Sequence, residues 1–334
     1  MKTTRSRFAL GAAGAFATIA IHTPARAAQF EYKMGHDLPA DHPLNVRSVE
    51  AAGRILKATN GRLQIKLFPN SQLGGDPAML TQLRSGATEM LQFPGAFLTT
   101  VPLAAIENVA FAFPNSATAF KAMDGSLGAV VRDAIKATGT WALDKIWENG
   151  FRDITTATKP IRTVEDLAGF KIRVSPGRIR IDTFQSLGAS PTPIAASELY
   201  TALQTKIVDG QENPLITIET LHLYEVQKYC SLSHHLWSGY WTLINPDAWK
   251  RLSPDLQAIV AREFAKSAAD ERRDTAIQSG SVQDKLHRQG LTFNPVDRES
   301  FKRKLIANGY YTRWKNEFGE KAWSALESYT GKLG

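Results

Sequence analysis

Stretches with a two-residue apolar period alternate with stretches of helical period from residue 30 onward, and this alternation confines the chain to an α/β architecture. Phe30, Tyr32 and Met34 alternate with Glu31 and Lys33, as in a strand with one buried face. Val46, Val49, Gly53 and Leu56 then mark a helical face that ends at Asn60-Gly61. Leu63, Ile65 and Leu67 alternate again up to Pro69, a helix from Asp76 to Arg84 lies between Gly74-Gly75 and Gly86, and a strand runs from Met90 to Phe93. This order predicts a mostly parallel sheet covered by helices, an arrangement that gathers ligand sites at the carboxyl ends of its strands.

The pattern restarts near Asn149-Gly150 with a strand through Phe151 to Thr155. Phe170, Ile172 and Val174 next alternate with Lys171 and Arg173, which sets Arg173 on the face opposite the apolar one. The turn Ser175-Pro176-Gly177 follows, then a short helix with Ile181, Phe184 and Leu187 on one side, closed by Gly188. Beyond residue 27 the chain has roughly 300 residues, more than one core usually organises, so two domains are expected. No long Gly/Ser linker separates them, which favours strands crossing between lobes as a hinge over a flexible tether. From Ser253 to about Gln289 breakers are nearly absent and Leu256, Ile259, Val260, Phe264, Ala268 and Ala269 form a stripe, predicting one long helix or two joined near Gly280. Phe301, Leu305, Tyr310, Trp314, Phe318 and Trp323 belong to helices that pack back on the body.

Lys2, Arg5 and Arg7, the apolar run Phe8 to Ile21 and the Ala25-Arg26-Ala27 site read as a signal peptide over residues 1–27, and Arg5-Ser6-Arg7 lacks the adjacent pair of a twin-arginine signal. The expected location is therefore the periplasm. Without Lys2, Arg5, Arg7 and Arg26 the net charge of +8 falls to +4, with both signs scattered and no basic run interleaved with aromatics. Nucleic acid is not an expected partner. Cys230 is the only cysteine, so no intramolecular disulfide forms and the thiol reads as a small buried hydrophobe. No G-x-S-x-G elbow, H-E-x-x-H, P-loop or dinucleotide fingerprint is present, so an enzyme is not expected.

An arginine at a strand end is a rigidly mounted planar fork that matches a carboxylate bidentately. Around Arg173 the segment Phe170–Leu215 carries Lys171-Ile172-Arg173-Val174, then the turn Gly188-Ala189-Ser190-Pro191-Thr192-Pro193. Glu198-Leu199-Tyr200-Thr201-Ala202-Leu203-Gln204 and Val208-Asp209-Gly210-Gln211-Glu212-Asn213-Pro214 follow in order. This run resembles the central signature of DctP-type substrate-binding proteins of TRAP (tripartite ATP-independent periplasmic) transporters, and the similarity extends over nearly the whole chain after residue 27. The resemblance implies a two-lobed periplasmic-binding-protein fold with a ligand cleft, hinge strands and a long helix spanning both lobes. Lobe I would comprise residues 28–151 plus about 238–280, and lobe II residues 152–237 plus about 281–334.

By the same resemblance Arg173 pairs with a ligand carboxylate, Arg152 reaches the same group and Asn213 completes the clamp through its amide, while His36 lies where relatives approach ligand or its waters. Read from the residues alone, Arg152 beside Asp153 also fits a surface ion pair, and Asn213 before Pro214 a turn residue. The run Leu91–Phe97, with Phe93, is apolar where some sugar-acid-binding relatives carry polar or acidic residues, and Trp237, Tyr240 and Trp241 lie near the return to the first lobe. The expected function is a solute receptor that captures an organic acid, a monocarboxylate with an apolar or aromatic body, and closes for delivery to the small and large membrane subunits. A receptor for a dicarboxylate or sugar acid, or a ligand-presenting partner of a sensor, is the alternative. No cofactor or metal is expected, since His36, Asp37, Asp41 and His42 lack ligand spacing and His234-His235 point apart on a strand. A monomer is the expected state.

Overall fold

A computed structural model describes residues 28–334, so the signal-peptide reading of residues 1–27 lies outside the described residues. Ten strands form one sheet: β1 Phe30–Gly35, β2 Leu63–Phe68, β3 Met90–Pro94, β4 Trp141–Ala142, β5 Trp147–Thr156, β6 Lys171–Val174, β7 Ser190–Pro193, β8 Gly210–Asn213, β9 Tyr229–Ile244 and β10 Thr292–Pro295. The order is β2-β1-β3-β9-β5-β8-β6-β7, with β4 and β10 paired to β9. β1 pairs in parallel with β2 and β3, and β6 in parallel with β7 and β8, the arrangement that the alternating sequence predicts.

The two parallel groups are joined by the long strands β5 and β9, which run antiparallel to each other. The end of β9, Tyr240–Ile244, pairs with β3, whereas Asp153–Thr156 of β5 pair with β8. The chain therefore passes straight through Asn149-Gly150, where the sequence pattern restarts. What lies there is a bulge between Glu148 and Gly150, with a second irregularity between Arg152 and Ile154. Bulges bend and twist a strand, and these two sit where it passes from one parallel group to the other.

The helix over Pro43–Ala58 forms as predicted, but its buried face differs: Leu44, Ser48, Ala51, Ala52 and Ile55 face inward, while Val46, Val49 and Leu56 are exposed. Small residues on the inward face allow close approach of the helix Pro254–Arg288, and two long-range ion pairs flank the contact, Arg47 Nε to Asp274 at 2.6 Å and Arg54 Nε to Glu263 at 2.8 Å. That second helix is one piece of 35 residues, about 50 Å long at 1.5 Å per residue, unbroken at Gly280. It packs on Pro43–Ala58 and β5 and also on the helix Leu215–Thr220. The C-terminal helix Glu320–Thr330 packs on helices Ser116–Asp124 and Ser126–Ala137.

Glu271 ties the long helix to β5, its Oε2 accepting the Glu148 backbone N–H at 3.0 Å and its Oε1 the Thr275 hydroxyl at 2.9 Å. Burial pushes its pKa up to about 8. The folded chain thus keeps a proton that the unfolded chain releases from the ordinary glutamate value of 4.5 upward, so this group's contribution is intact below pH 4.5 and is lost as the pH rises toward 8. Glu271→Gln should flatten the pH dependence of unfolding free energy in that window by up to about 1.4 kcal/mol per pH unit, measured by denaturant titration at several pH values.

Candidate functional site

The two parallel groups run in opposite directions and pair with opposite ends of the crossing strands, so their carboxyl ends face each other and the loops after them converge on a cleft between them. β1 leads to Asp37 and Leu38, β3 to Pro94 and Phe97, β6 carries Arg173 and leads to Ser175, and β8 ends at Asn213. Arg152 of β5, Tyr240 of β9, Arg180 of the helix Arg178–Ser186 and Ala196 at the start of the helix Ala196–Gln204 complete most of the wall.

Of the seven residues singled out from sequence, the cleft brings together Arg173, Arg152, Asn213 and Tyr240. His36 is buried behind the wall with Nε2 3.0 Å from Asn45 Oδ1, and burial pulls its pKa down to about 4, so it is neutral. Phe93 packs edge-on against Phe97 at 5.2 Å. Trp237 lies between Phe113 and Phe120, edge-on at 6.0 and 5.8 Å, and its indole N–H donates to Glu148 at 3.2 Å. Among the described residues no cluster of histidine, cysteine and acidic side chains has the makings of a metal site, and no helix is long and apolar enough to cross a membrane.

Three arginines line the cleft, in two different electrostatic situations. Arg152 is matched: its Nε and Nη2 fork onto the Glu212 carboxylate, and Nη2 also donates to the Glu212 carbonyl at 2.7 Å and to Asn213 Oδ1 at 2.7 Å. Burial alone would raise the Glu212 pKa, but Arg152 and a hydrogen bond with His235 hold it well below the usual carboxylate range. The sequence offered Asp153 as the partner of Arg152. Asp153 instead accepts from the His234 backbone N–H at 2.9 Å and lies 2.9 Å from its ring Nδ1.

Arg173 is 1% exposed, so its strand is buried on both faces and not on one as the alternation implies. Its Nε donates to the Ile194 carbonyl at 2.8 Å, while Nη2 is buried without a partner. Arg180 repeats this arrangement: Nε donates to Asn108 Oδ1 at 2.8 Å, the guanidinium lies 5.4 Å from the centre of the Phe97 ring, and Nη2 is buried without a partner. Burial pulls both guanidiniums down to about 10, which still leaves them charged at neutral pH.

Carboxyls stand around these arginines. Asp37 accepts the Tyr240 hydroxyl at 2.8 Å and burial raises its pKa. Asp76 has no partner at either oxygen and is pushed up to about 7, first by burial and then by Asp37. Glu107 accepts the Gly95 N–H at 3.2 Å and burial pushes it up to about 8. Sequence reasoning missed Arg180, Glu212, Asp76 and Glu107. Ile181, Phe184 and Leu187 hid the first, because that helix buries Ile179, Arg180, Thr183 and Phe184 and leaves Ile181 half-exposed.

Residues 34–312 match the family model described as bacterial extracellular solute-binding protein, family 7, DctP. The chain is 36% identical to an uncharacterized protein of Sinorhizobium fredii over 89% of its own length, a match that spans 56% of that relative. It is 30% identical to the 2,3-diketo-L-gulonate-binding periplasmic protein YiaO of Escherichia coli over 90% of this chain and 91% of that one. It is 31% identical to the C4-dicarboxylate-binding periplasmic protein DctP of Rhodobacter capsulatus over 78% and 80%. Among solved structures, the galactonate complex of a sugar acid binding protein from Advenella mimigardefordensis superposes with a TM-score of 0.87 at 29% identity, covering 92% of this chain and all of that one. A succinate-bound TRAP periplasmic solute binding protein from Sulfurospirillum deleyianum gives 0.84 at 28%, covering 90% and 99%. Sheet order, cleft and family match agree, and the chain belongs to the DctP family, the two-lobed substrate-binding proteins of TRAP transporters.

Proposed function

We propose that this protein is a periplasmic receptor that captures an organic acid on Arg173 and closes around it for delivery to the membrane subunits of a TRAP transporter. The observation that carries this reading is the Arg173 guanidinium, buried at the cleft with Nε pinned to a carbonyl and Nη2 lacking a partner. A buried cation without a counter-charge is costly, and an incoming carboxylate supplies one. Asn213 and Arg152 stand beside it, with Arg152 held in place by Glu212. We assign lobe I to β1–β4 with the end of β9, and lobe II to β6–β8 with β10. β5 and β9 cross between them, and the C-terminal helix Glu320–Thr330 rides on lobe I, against which it packs.

The ligand's body is proposed to be polar. Phe93 and Trp237, the expected carriers of an apolar or aromatic pocket, pack in the core, and the wall presents Asp37, Asn149, Ser175, Asn213 and Thr217 beside the arginines. Hydroxylated acids and dicarboxylates fit such donors and acceptors, as do the relatives named for a diketo-gulonate and for C4-dicarboxylates. Thermal shift of the chain lacking residues 1–27 against sugar acids, dicarboxylates, aliphatic and aromatic monocarboxylates and amino acids tests the assignment. A polar acid at about 100-fold its Kd should add about 2.7 kcal/mol of stability. Stabilisation by aromatic monocarboxylates alone, or by no acid, would refute the polar-body reading.

A further inference from the structure

Resting on the lobe assignment, we infer that His234 is a proton-operated pin at the hinge. Its charged ring fastens the kink where β9 passes between the lobes, so acid favours the form in which the lobes meet, and rising pH releases it. Arg152 pairs with Leu236 and Ile154 with Ser231, so residues 232–235 of β9 stand opposite Asp153 alone. His234 lies within this bulge with a φ of 40°, a region that few residues other than glycine enter. Such a conformation persists only where its surroundings hold it. One oxygen of the buried Asp153 does so, accepting the His234 backbone N–H at 2.9 Å and lying 2.9 Å from the ring Nδ1.

The pair straddles the turning point. Asp153 belongs to the stretch of β5 that pairs with β8 in lobe II, whereas the carbonyl of His235, the residue after His234, accepts the Phe111 N–H of lobe I at 2.7 Å. Rotation of the lobes therefore changes the distance between ring and carboxylate. Nδ1 is off the line of a hydrogen bond, so what joins the two groups is charge, which the ring carries only when protonated. Arg298, from the helix Arg298–Ala307, reaches the His234 carbonyl at 3.5 Å and opposes that charge, the Phe151 ring stands edge-on at 6.1 Å, and His235 turns away to Glu212. Asp153 raises the pKa of His234 above the ordinary 6.5, against burial and Arg298, which lower it. The contribution of the ring is therefore intact below pH 6.5 and is lost as the pH rises through the raised value. In this form the lobes meet, since a Cβ on Gly177 would lie 3.0 Å from the Ala96 carbonyl oxygen across the cleft.

Pulsed electron–electron resonance between spin labels at Ser85→Cys and Gln204→Cys reads the spacing of the lobes with no ligand present. Both positions are exposed, one ending the helix Asp76–Ser85 and the other the helix Ala196–Gln204, and the native Cys230 is buried. From about pH 6 to about pH 9 the ratio of short to long distances should fall about tenfold in the otherwise native chain, as for a one-unit difference in the ring's pKa between the two forms. His234→Asn, which accepts the left-handed backbone but carries no charge, should hold the high-pH ratio throughout. His234→Lys, charged across the window, should hold the low-pH ratio. Asp76, Glu107 and Glu271 titrate in the same window and remain in both variants, so only the part of the response that disappears with the imidazole counts. A ratio that ignores pH, moves in the opposite direction, or responds equally in His234→Asn overturns the inference. Ala96→Phe, a wedge against Gly177, keeps the two readings apart. A longer distance in the wedge with no pH response in the native chain refutes the pin alone, whereas one unchanged distance in both refutes the two-lobe motion beneath it.

Discussion

Arg173→Gln should bind the protein's acid ligand roughly 30- to 4,000-fold more weakly than wild type, the equivalent of about 2–5 kcal/mol for one partner of a buried, hydrogen-bonded charge pair. The empty variant should melt no lower than wild type, because the guanidinium it loses is buried with one nitrogen unpartnered and contributes a desolvation cost to the ligand-free protein. These opposite directions separate a ligand role from a structural one. Titration calorimetry with the best acid from the screen gives the affinity, and differential scanning calorimetry without ligand gives the stability. A variant that melts well below wild type and binds normally would show that Arg173 holds the fold together through Ile194 and has no part in capture.

Glu212→Leu should act in the reverse sense. It strips Arg152, itself 1% exposed, of its bidentate partner and leaves a buried cation with the Asn213 amide, a backbone carbonyl and the more distant Ser175 hydroxyl, none of them charged. Breaking a buried pair in this way costs about 3–5 kcal/mol. Replacing both partners, as in Arg152→Met with Glu212→Leu, should recover most of the loss, because the pair's desolvation cost disappears with it. The folded pKa of Glu212 lies below its unfolded value, so its stabilisation is present above about pH 4.5 and is lost as the pH falls through the folded value. Urea midpoints for wild type should therefore drop in acid, and the difference between wild type and Glu212→Leu should shrink there. A constant difference from pH 7 to pH 3 would mean that the carboxylate's charge is not what Arg152 needs.

Much of the fold was legible because period-2 and helical stretches carry their own boundaries. The strands at Phe30 and Leu63, the helix that begins at Asp76 and the unbroken helix through Gly280 all stand where periodicity and turn residues put them. The faces were less legible. Val46 and Val49 looked like a core stripe from their size, yet the neighbouring helix needed alanines to come close, and only the tertiary partner determines which of two adjacent stripes faces inward. The site divided in a similar way. Arg173 showed itself as a charge inside an apolar strand, whereas Arg180 sat in a helix whose apolar neighbours suggested a plain amphipathic face. Glu212 lay in plain view within Val208–Pro214, but nothing local tells a glutamate that it will meet Arg152, 60 residues away, in the adjacent strand.

The long helix Pro254–Arg288 behaves as a beam clamped at two places, by Arg47 and Arg54 from one helix and by packing on Leu215–Thr220 from the other half of the sheet. If the halves rotate about β5 and β9, this beam must flex with them, and elastic energy taken up in one direction is returned in the other. Its single glycine, Gly280, has open space around it and is the natural place for the curvature to concentrate. On that condition affinity would depend partly on the stiffness of a rod outside the cleft, and release could be retuned without altering one residue that lines it.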